Sequence, residues 1–545
     1  MRNAFTFPGY LIWIFLAYLA SLSLYTVPLT GDQKVYLAIS QEMWNAGSVF
    51  QPLLFDAPSY VKPPLQYLSI LLSWKIFGVG LFSALLPSVL ALLGTSAILG
   101  KISLHFQGRE FASNAGLWFA ASVGAWVFGT VAQMEILLCF MDALAWFFAL
   151  QFLARTHWPS LFLAFVFAGL NAWVKSPVYS VFWVAGFLLY LFMTGNWWVI
   201  RHRRFYAAGF LGVCVGLVWY VAMFRMDPQN FWDQYFVQET FSKKNGNAST
   251  PLGLWGALLY WAFPGTLLLI PGVLRALRLV RAHRPLSHVW TLAICWVLPA
   301  FAFFSLHPYR VKPYLFVLVP PLMLVLDWTI THCRNDRVFV ALLRSSGIGI
   351  AGLAVFASAF LIRAEWISWF VAAALMIASI LALWAAWKRR LRGFAFSVIL
   401  VLMSFRFAAA DLGSHDLADL VAWSKAHPTV QVANLDPGKN VWNERTYVGL
   451  GIDREIGWKG SIEDAEAFVR QGGHLILSDE QWQSGGWSEK PGIQFLEWRR
   501  FKTRRKFPYG KILLQGRAAL PNFDDETHRK FRIVTGLGAE TRKSQ

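Results

Sequence analysis

Asp32, in Thr30-Gly31-Asp32-Gln33, and Lys62, in Tyr60-Val61-Lys62-Pro63-Pro64-Leu65, are the residues of this chain best placed for chemistry. The first follows the opening hydrophobic run; the second sits just before a Pro-Pro that starts a helix. Together they put a carboxylate and an amine at a membrane–water boundary, where ionisable groups are costly and mark function. A carboxylate there can take a proton or face a developing cation, and an amine can meet a leaving anion. Asp32 has a second reading as the N-cap of a helix over 33–46, since Asp is favoured at that position and Gly31 permits the turn. One residue can do both.

Glu135 closes the run Gly129-Thr130-Val131-Ala132-Gln133-Met134-Glu135. It reads either as a site acid or as an interfacial carboxylate favoured by a helix N-terminus. Asp142, two turns deeper, suits a buried hydrogen bond between helices. The cations Lys62, Lys175, Arg310 and Lys312 all fall at the ends of apolar segments, with Tyr314 close behind the last two. Lys and Arg at helix ends often snorkel, but a cluster beside Pro and Tyr also suits a bound anion. Lys243 and Lys244 read as part of a mobile loop or lid. The chain has no Gly-rich phosphate loop, no metal-spaced His/Cys set and no Ser-centred elbow, so no metal and no cofactor is expected. Gly212 and Gly216 give a weak helix-packing signal.

The elements that carry these residues are membrane helices. Hydrophobic residues make up 56% of the chain, aromatics 17% and charged residues only 14%, against about 25% charged in a soluble domain. The four cysteines lie in or beside apolar segments, which argues against a disulfide framework. Spans are expected near 8–28, 80–104, 112–130, 136–154, 159–174, 177–194 and 204–224. Others fit near 254–274, 288–306, 313–332, 340–362, 366–387 and 393–410, about thirteen in all. The first reads as an uncleaved helix, because no small-residue cleavage site follows it. Residues 64–77 are helical in pattern but only roughly 21 Å long, too short to cross.

Loop charge supports that choice. With 64–77 kept from crossing, Arg2, Lys101, Arg109, Arg155, Arg201 to Arg204, Arg275 to Arg284 and Lys388 to Arg392 share one side. That side is the cytoplasm by the positive-inside rule. The outer loops are then 29–63, 131–135, the corner at Lys175, 225–252, 307–312 and 363–365, which hold every charged candidate except Asp142. Within the first, Val35, Ile39 and Met43 recur at helical spacing and predict an amphipathic helix on the membrane surface.

Beyond Asp411 the charge density rises and short alternating runs appear, such as Thr429 to Ala433 and His474 to Ser478, between helical pieces near 416–426 and 462–471. The expected organisation is a transmembrane catalytic domain over 1–410 and a small extracytoplasmic α/β domain over 411–545. Its basic run Arg499 to Lys506 suits either anionic lipid headgroups or a charged, soluble edge strand. Nucleic acid is not an expected partner on that side of the membrane.

The early Asp32, then Lys62-Pro63-Pro64-Leu65-Gln66-Tyr67 and Ile76-Phe77-Gly78, resembles the bacterial lipid-linked-sugar glycosyltransferases of the GT-C fold. Within them it is most similar to the aminoarabinose transferases of lipid A and the protein O-mannosyltransferase-like group. The run ending at Glu135, Val174-Lys175-Ser176-Pro177, and Phe304-Ser305 followed by Arg310-Val311-Lys312-Pro313-Tyr314 extend the resemblance over roughly residues 8–330. Three positions depart from the family pattern. Glu135 stands where an Asp is usual, Arg310 where a Lys is expected, and Leu85-Leu86-Pro87 lacks an expected Arg.

The resemblance implies an all-α polytopic GT-C protein of a bacterial inner membrane, with its C-terminal domain in the periplasm. It would be an inverting glycosyltransferase moving a sugar from polyprenyl phosphate to lipid A or another envelope acceptor. Protein O-glycosylation is the alternative within the same fold. The implied roles are Asp32 and Glu135 as catalytic carboxylates, and Lys62, Lys175, Arg310, Lys312 and Tyr314 around the donor phosphate. A lipid-linked-sugar transporter or flippase is the rival class; it fits less well, since the charges gather at one face and no internal repeat is visible.

Overall fold

In the computed structural model the described residues are 7–22, 32–54, 57–108, 114–241, 250–307, 311–363, 367–427, 429–435, 457–459, 461–490, 492–501 and 528–536. Helix α1 (Phe7–Leu22) leads to the outer helix α2 (Gln33–Asn45), a two-strand ribbon of β1 (Leu53–Leu54) and β2 (Ala57–Pro58), and α3 (Leu65–Phe77). A bundle follows: α4 (Leu81–Gln107), α5 (Asn114–Ala120), α6 (Val123–Gly129), α7 (Met134–Arg155), α8 (Trp158–Val174) and α9 (Pro177–Met193). Next come α10 (Trp198–Arg201), α11 (Arg203–Met226), α12 (Pro228–Phe231) and a π-helical segment, Trp232–Phe241. The bundle continues through α13 (Pro251–Trp261), α14 (Gly265–Arg281), α15 (His288–Leu306), a 3-10 turn (Lys312–Leu318) and α16 (Val319–Cys333). It ends with α17 (Arg337–Arg363), α18 (Trp369–Trp387) and α19 (Leu391–Ala426).

Every apolar segment expected from the sequence carries helix. Among the described residues seven helical stretches are long and apolar enough to cross a membrane by themselves. The bundle's outer surface leaves Phe210, Leu217, Val221 and Phe224 of α11 and Trp369 and Phe370 of α18 exposed, as lipid-facing helices require. The helix α3 has 13 residues, about 20 Å.

Two expected spans are broken. The 112–130 segment splits at Ser122, whose hydroxyl accepts from the Ala125 N–H at 3.2 Å to start α6. The 254–274 segment bends by 105° between α13 and α14, where Pro264 and Gly265 interrupt the helical ladder. The breaks meet, since Val123 N–H donates to the Phe263 carbonyl at 2.9 Å. Each satisfies a backbone group that the other would leave orphaned in an apolar interior.

The Gly212–Gly216 pair does more than the sequence reading credited. A Cβ at Gly212 would lie 2.7 Å from the Phe165 carbonyl oxygen, and one at Gly169 would lie 2.4 Å from that of Gly212. Only glycine allows α8 and α11 to approach so closely. The outer helix α2 also differs from expectation. Gln33, Gln41 and Glu42 are buried along with Leu37, Ile39 and Met43, so it is covered by protein on both faces instead of resting on a lipid surface.

The helix α19 runs unbroken through residues 410 and 411, so the boundary expected there falls inside a 36-residue helix. Polarity changes at Asp411 and Gly413 follows, but no proline stands in the sequence from there to Pro428. After it, β3 (Val432–Leu435), β4 (Gly457–Lys459), α20 (Ile462–Arg470), β5 (His474–Ser478), α21 (Asp479–Ser484), β6 (Gln494–Phe501) and β7 (His528–Gly536) follow. The strands form one mixed sheet in the order β4-β3-β5-β7-β6, with β3 parallel to β4 and β5 and the other pairings antiparallel. Ser461 caps α20 by accepting from the Asp464 N–H at 3.1 Å. Val432, Ile476 and Ile533 join the buried cluster of the bundle, which seats the sheet on the helices.

Candidate active site

The helices α7 and α8 form an antiparallel hairpin joined at Thr156 and His157, so the start of one and the end of the other reach the same level. Glu135 lies in the first turn of α7, and Lys175 is the C-cap of α8. Lys175 Nζ lies 2.7 Å from Glu135 Oε1, with the two side chains 7% and 12% exposed. The same ammonium sits 4.3 Å from the centre of the Tyr314 ring and 5.9 Å from that of Tyr179. Lys175 therefore turns inward and does not snorkel. A charge buried to this degree needs a partner, and Glu135 supplies it.

A second polar contact ties the same two helices deeper in the bundle. Asn171 Nδ2 donates to Asp142 Oδ1 at 3.3 Å, and Trp296 Nε1 of α15 donates to Asp142 Oδ2 at 2.5 Å. Asp142 follows Glu135 by two turns and Asn171 precedes Lys175 by one, so each pair shares a helix face. Asp142 is thus the buried helix-to-helix group that its depth in the sequence suggested.

Asp32 caps α2 with its backbone alone. Its carbonyl accepts from Val35 and Tyr36 at 3.0 and 3.1 Å, whereas its exposed side chain makes no capping hydrogen bond. The carboxylate is left available for another partner. Burial pushes the Tyr36 phenol well above its ordinary range, and the carboxylates of Glu135, Asp32 and Glu239 push it further. All three acids therefore lie within electrostatic reach of the Tyr36 phenol, which packs edge-on against Tyr67 at 6.0 Å.

Lys62 forms an ion pair with Glu239, with both side chains largely buried. The loop that carries Lys62 is fastened to the π-helical segment. Tyr60 N–H donates to Gln234 Oε1 at 2.8 Å, and Gln234 Nε2 donates to the Pro58 carbonyl at 3.2 Å. Glu239 and Tyr36 are the residues that sequence reasoning missed. Glu239 lies in an outer loop by charge parity, just before Lys243 and Lys244, and that shared face was the signal available.

Of the sequence-predicted residues, Asp32, Glu135, Lys62, Lys175 and Tyr314 are brought together. Lys312 is exposed and offers its carbonyl to Trp261 Nε1 at 3.3 Å. Arg310, Lys243 and Lys244 lie outside the described residues, as does most of the basic run after Phe501. Among the described residues no group of three or more His, Cys, Asp or Glu could hold a metal ion.

The class defined by this architecture is the GT-C fold, a polytopic helical membrane protein. The crystal structure of ArnT from Cupriavidus metallidurans bound to undecaprenyl phosphate superposes with a TM-score of 0.69 at 16% identity, covering 98% of this chain and 99% of that one. Its apo form gives 0.67 at 14% identity over the same shares. By sequence, the undecaprenyl phosphate-alpha-4-amino-4-deoxy-L-arabinose arabinosyl transferase 1 of Sodalis glossinidius is 27% identical over 365 residues, 62% of this chain. Transferase 2 of that name from Proteus mirabilis is 23% identical over 366 residues, 63% of this chain. The chain thus spans 62% and 64% of those relatives' own lengths. No family model matches the chain.

Proposed function

We propose that this protein is an inverting glycosyltransferase that moves a sugar from undecaprenyl phosphate to an envelope acceptor, lipid A or another lipopolysaccharide component. One observation carries the reading. Two largely buried ion pairs, Lys175–Glu135 and Lys62–Glu239, lie with Asp32 within electrostatic reach of Tyr36 in an ArnT-like bundle. The names of the relatives support the donor; the acceptor follows from the resemblance to the aminoarabinose transferases of lipid A.

In this reading the donor phosphate leaves as an anion, and Lys175 and Lys62 meet the developing charge. The family resemblance adds Arg310 and Lys312 to this role, an arginine being suited to a forked phosphate contact. Tyr314 and Tyr179 hold the Lys175 ammonium in place through their ring faces. The sugar carbon becomes oxocarbenium-like and is stabilised by Glu135 and Asp32. A hydroxyl acceptor gives Asp32 the role of general base. A lipid A phosphate is already nucleophilic and needs no base, so Asp32 then orients the acceptor. Direct displacement inverts the anomeric carbon.

The positive-inside bias supports an inner-membrane topology with the N-terminus in the cytoplasm and the site at the periplasmic face. Residues 411–545 then form a periplasmic α/β domain. Mass spectrometry of envelope glycolipids from cells with and without the protein tests the function. Loss of one sugar-modified lipid A species supports it; an unchanged glycolipid profile contradicts it.

A further inference from the structure

At the far end of α4 and α7 from Glu135, a cleft of about 400 Å³ opens between the two helices. Its lining on α7 runs from Phe147 to Arg155, so the cleft lies roughly 18–30 Å along that helix from Glu135. Lys101 and His105 of α4 and Arg155, the last residue of α7, border it, and all three are exposed. Ile102, Phe147 and Leu150 supply its apolar wall. None of its lining residues is acidic. Lys101 does not simply point away into water, since its ammonium lies over the Phe147 ring of the facing helix at 5.7 Å.

Cations at these positions gain from the helix C-terminal dipoles, and the positive-inside bias places them on the cytoplasmic side. Neither effect explains why Lys101 and Arg155 border the same apolar hollow, where their like charges repel unless an anion intervenes. We propose that this cleft binds an anionic glycerophospholipid of the inner leaflet. The phosphate sits among Lys101, His105 and Arg155, and an acyl chain lies along Phe147 and Leu150. Basic pockets between membrane helices on the cytoplasmic side are suited to such headgroups, and arginine provides a forked contact to phosphate. A free phosphate would satisfy the cations but leave the apolar wall uncovered. The site is independent of the transfer reaction, and its test needs no turnover.

Native mass spectrometry of the full-length protein in detergent, titrated with phosphatidylglycerol, phosphatidylcholine or inorganic phosphate, tests this. Phosphatidylglycerol is expected to be retained over phosphatidylcholine. The Lys101→Gln/Arg155→Gln double variant should lose that retention by about tenfold or more, as expected for charge-assisted contacts. The charge-keeping Lys101→Arg/Arg155→Lys variant, which moves the forked contact to position 101, should retain clearly more than the neutral variant. Equal retention of both lipids would overturn the proposal. So would retention unaffected by Lys101→Gln/Arg155→Gln, equal loss in both double variants, or displacement of the lipid by inorganic phosphate.

Discussion

Lys175 Nζ and Glu135 Oε1 are 2.7 Å apart, at the level where α8 ends and α7 begins, and water scarcely reaches either side chain. A pair this buried has two roles open to it. It can fasten the hairpin, or it can hold an ammonium ready for an incoming phosphate. The ring faces of Tyr314 and Tyr179 beside the ammonium favour the second, because they brace the cation without neutralising it.

Lys175→Ala strips Glu135 of its partner. Truncating one member of a buried pair costs about 3–5 kcal/mol, so this variant is expected both to melt earlier and to lose transfer. The double variant Lys175→Met/Glu135→Leu should recover much of the stability but none of the turnover. Thermal melts and a donor-consumption assay read the two separately, and recovered turnover would reduce the pair to a fastener.

Asp32→Asn should abolish transfer while changing stability by no more than about 0.5 kcal/mol. The side chain is exposed and makes no capping hydrogen bond, so the folded state has little to lose. Melting curves and turnover of the purified variant check this. A variant with near-normal turnover would return Asp32 to its backbone capping role.

Glu239→Gln releases Lys62 from its carboxylate. If the donor phosphate competes with Glu239 for Lys62, the variant should bind donor more tightly, lowering KM by about three- to tenfold with little change in kcat. Lys62→Ala should raise donor KM by roughly tenfold or more, the worth of one charge-assisted contact. Steady-state kinetics with a water-soluble short-chain donor measure both. A raised KM in Glu239→Gln would instead make Glu239 part of the binding surface.

Alkaline phosphatase fused after Ala426 should be active, and a fusion after Arg203 inactive, because the helices between them carry the chain outward under the positive-inside bias. The opposite pattern would move the whole polar cluster to the cytoplasm and remove its access to an envelope acceptor.

The sequence made some of this site legible and hid the rest for identifiable reasons. Glu135 and Lys175 could be nominated because each stands alone at the outer end of an apolar run, and the short turn between those runs returns them to one level. Asp32 and Lys62 were visible for the same reason. Glu239 was not, because helical periodicity says nothing about how the π-helical segment folds back to fasten the Lys62 loop through Gln234. The burial of α2 was also hidden. A period of four marks its apolar face, but the cover over Gln33, Gln41 and Glu42 comes from tertiary packing. At residue 411 the change in polarity was real, but polarity alone does not end a helix, and α19 continues to Ala426.

The central claim is that this cluster transfers a sugar from a polyprenyl phosphate. Purified protein in detergent, supplied with undecaprenyl-phosphate-linked aminoarabinose and lipid A but no nucleotide, tests it most directly. Chromatography of the lipids should show free undecaprenyl phosphate appearing in step with glycosylated lipid A, and neither with Lys175→Ala. An intact donor across a panel of polyprenyl-phosphate sugars, together with movement of that donor across vesicles containing the protein, would contradict the account and identify a transporter.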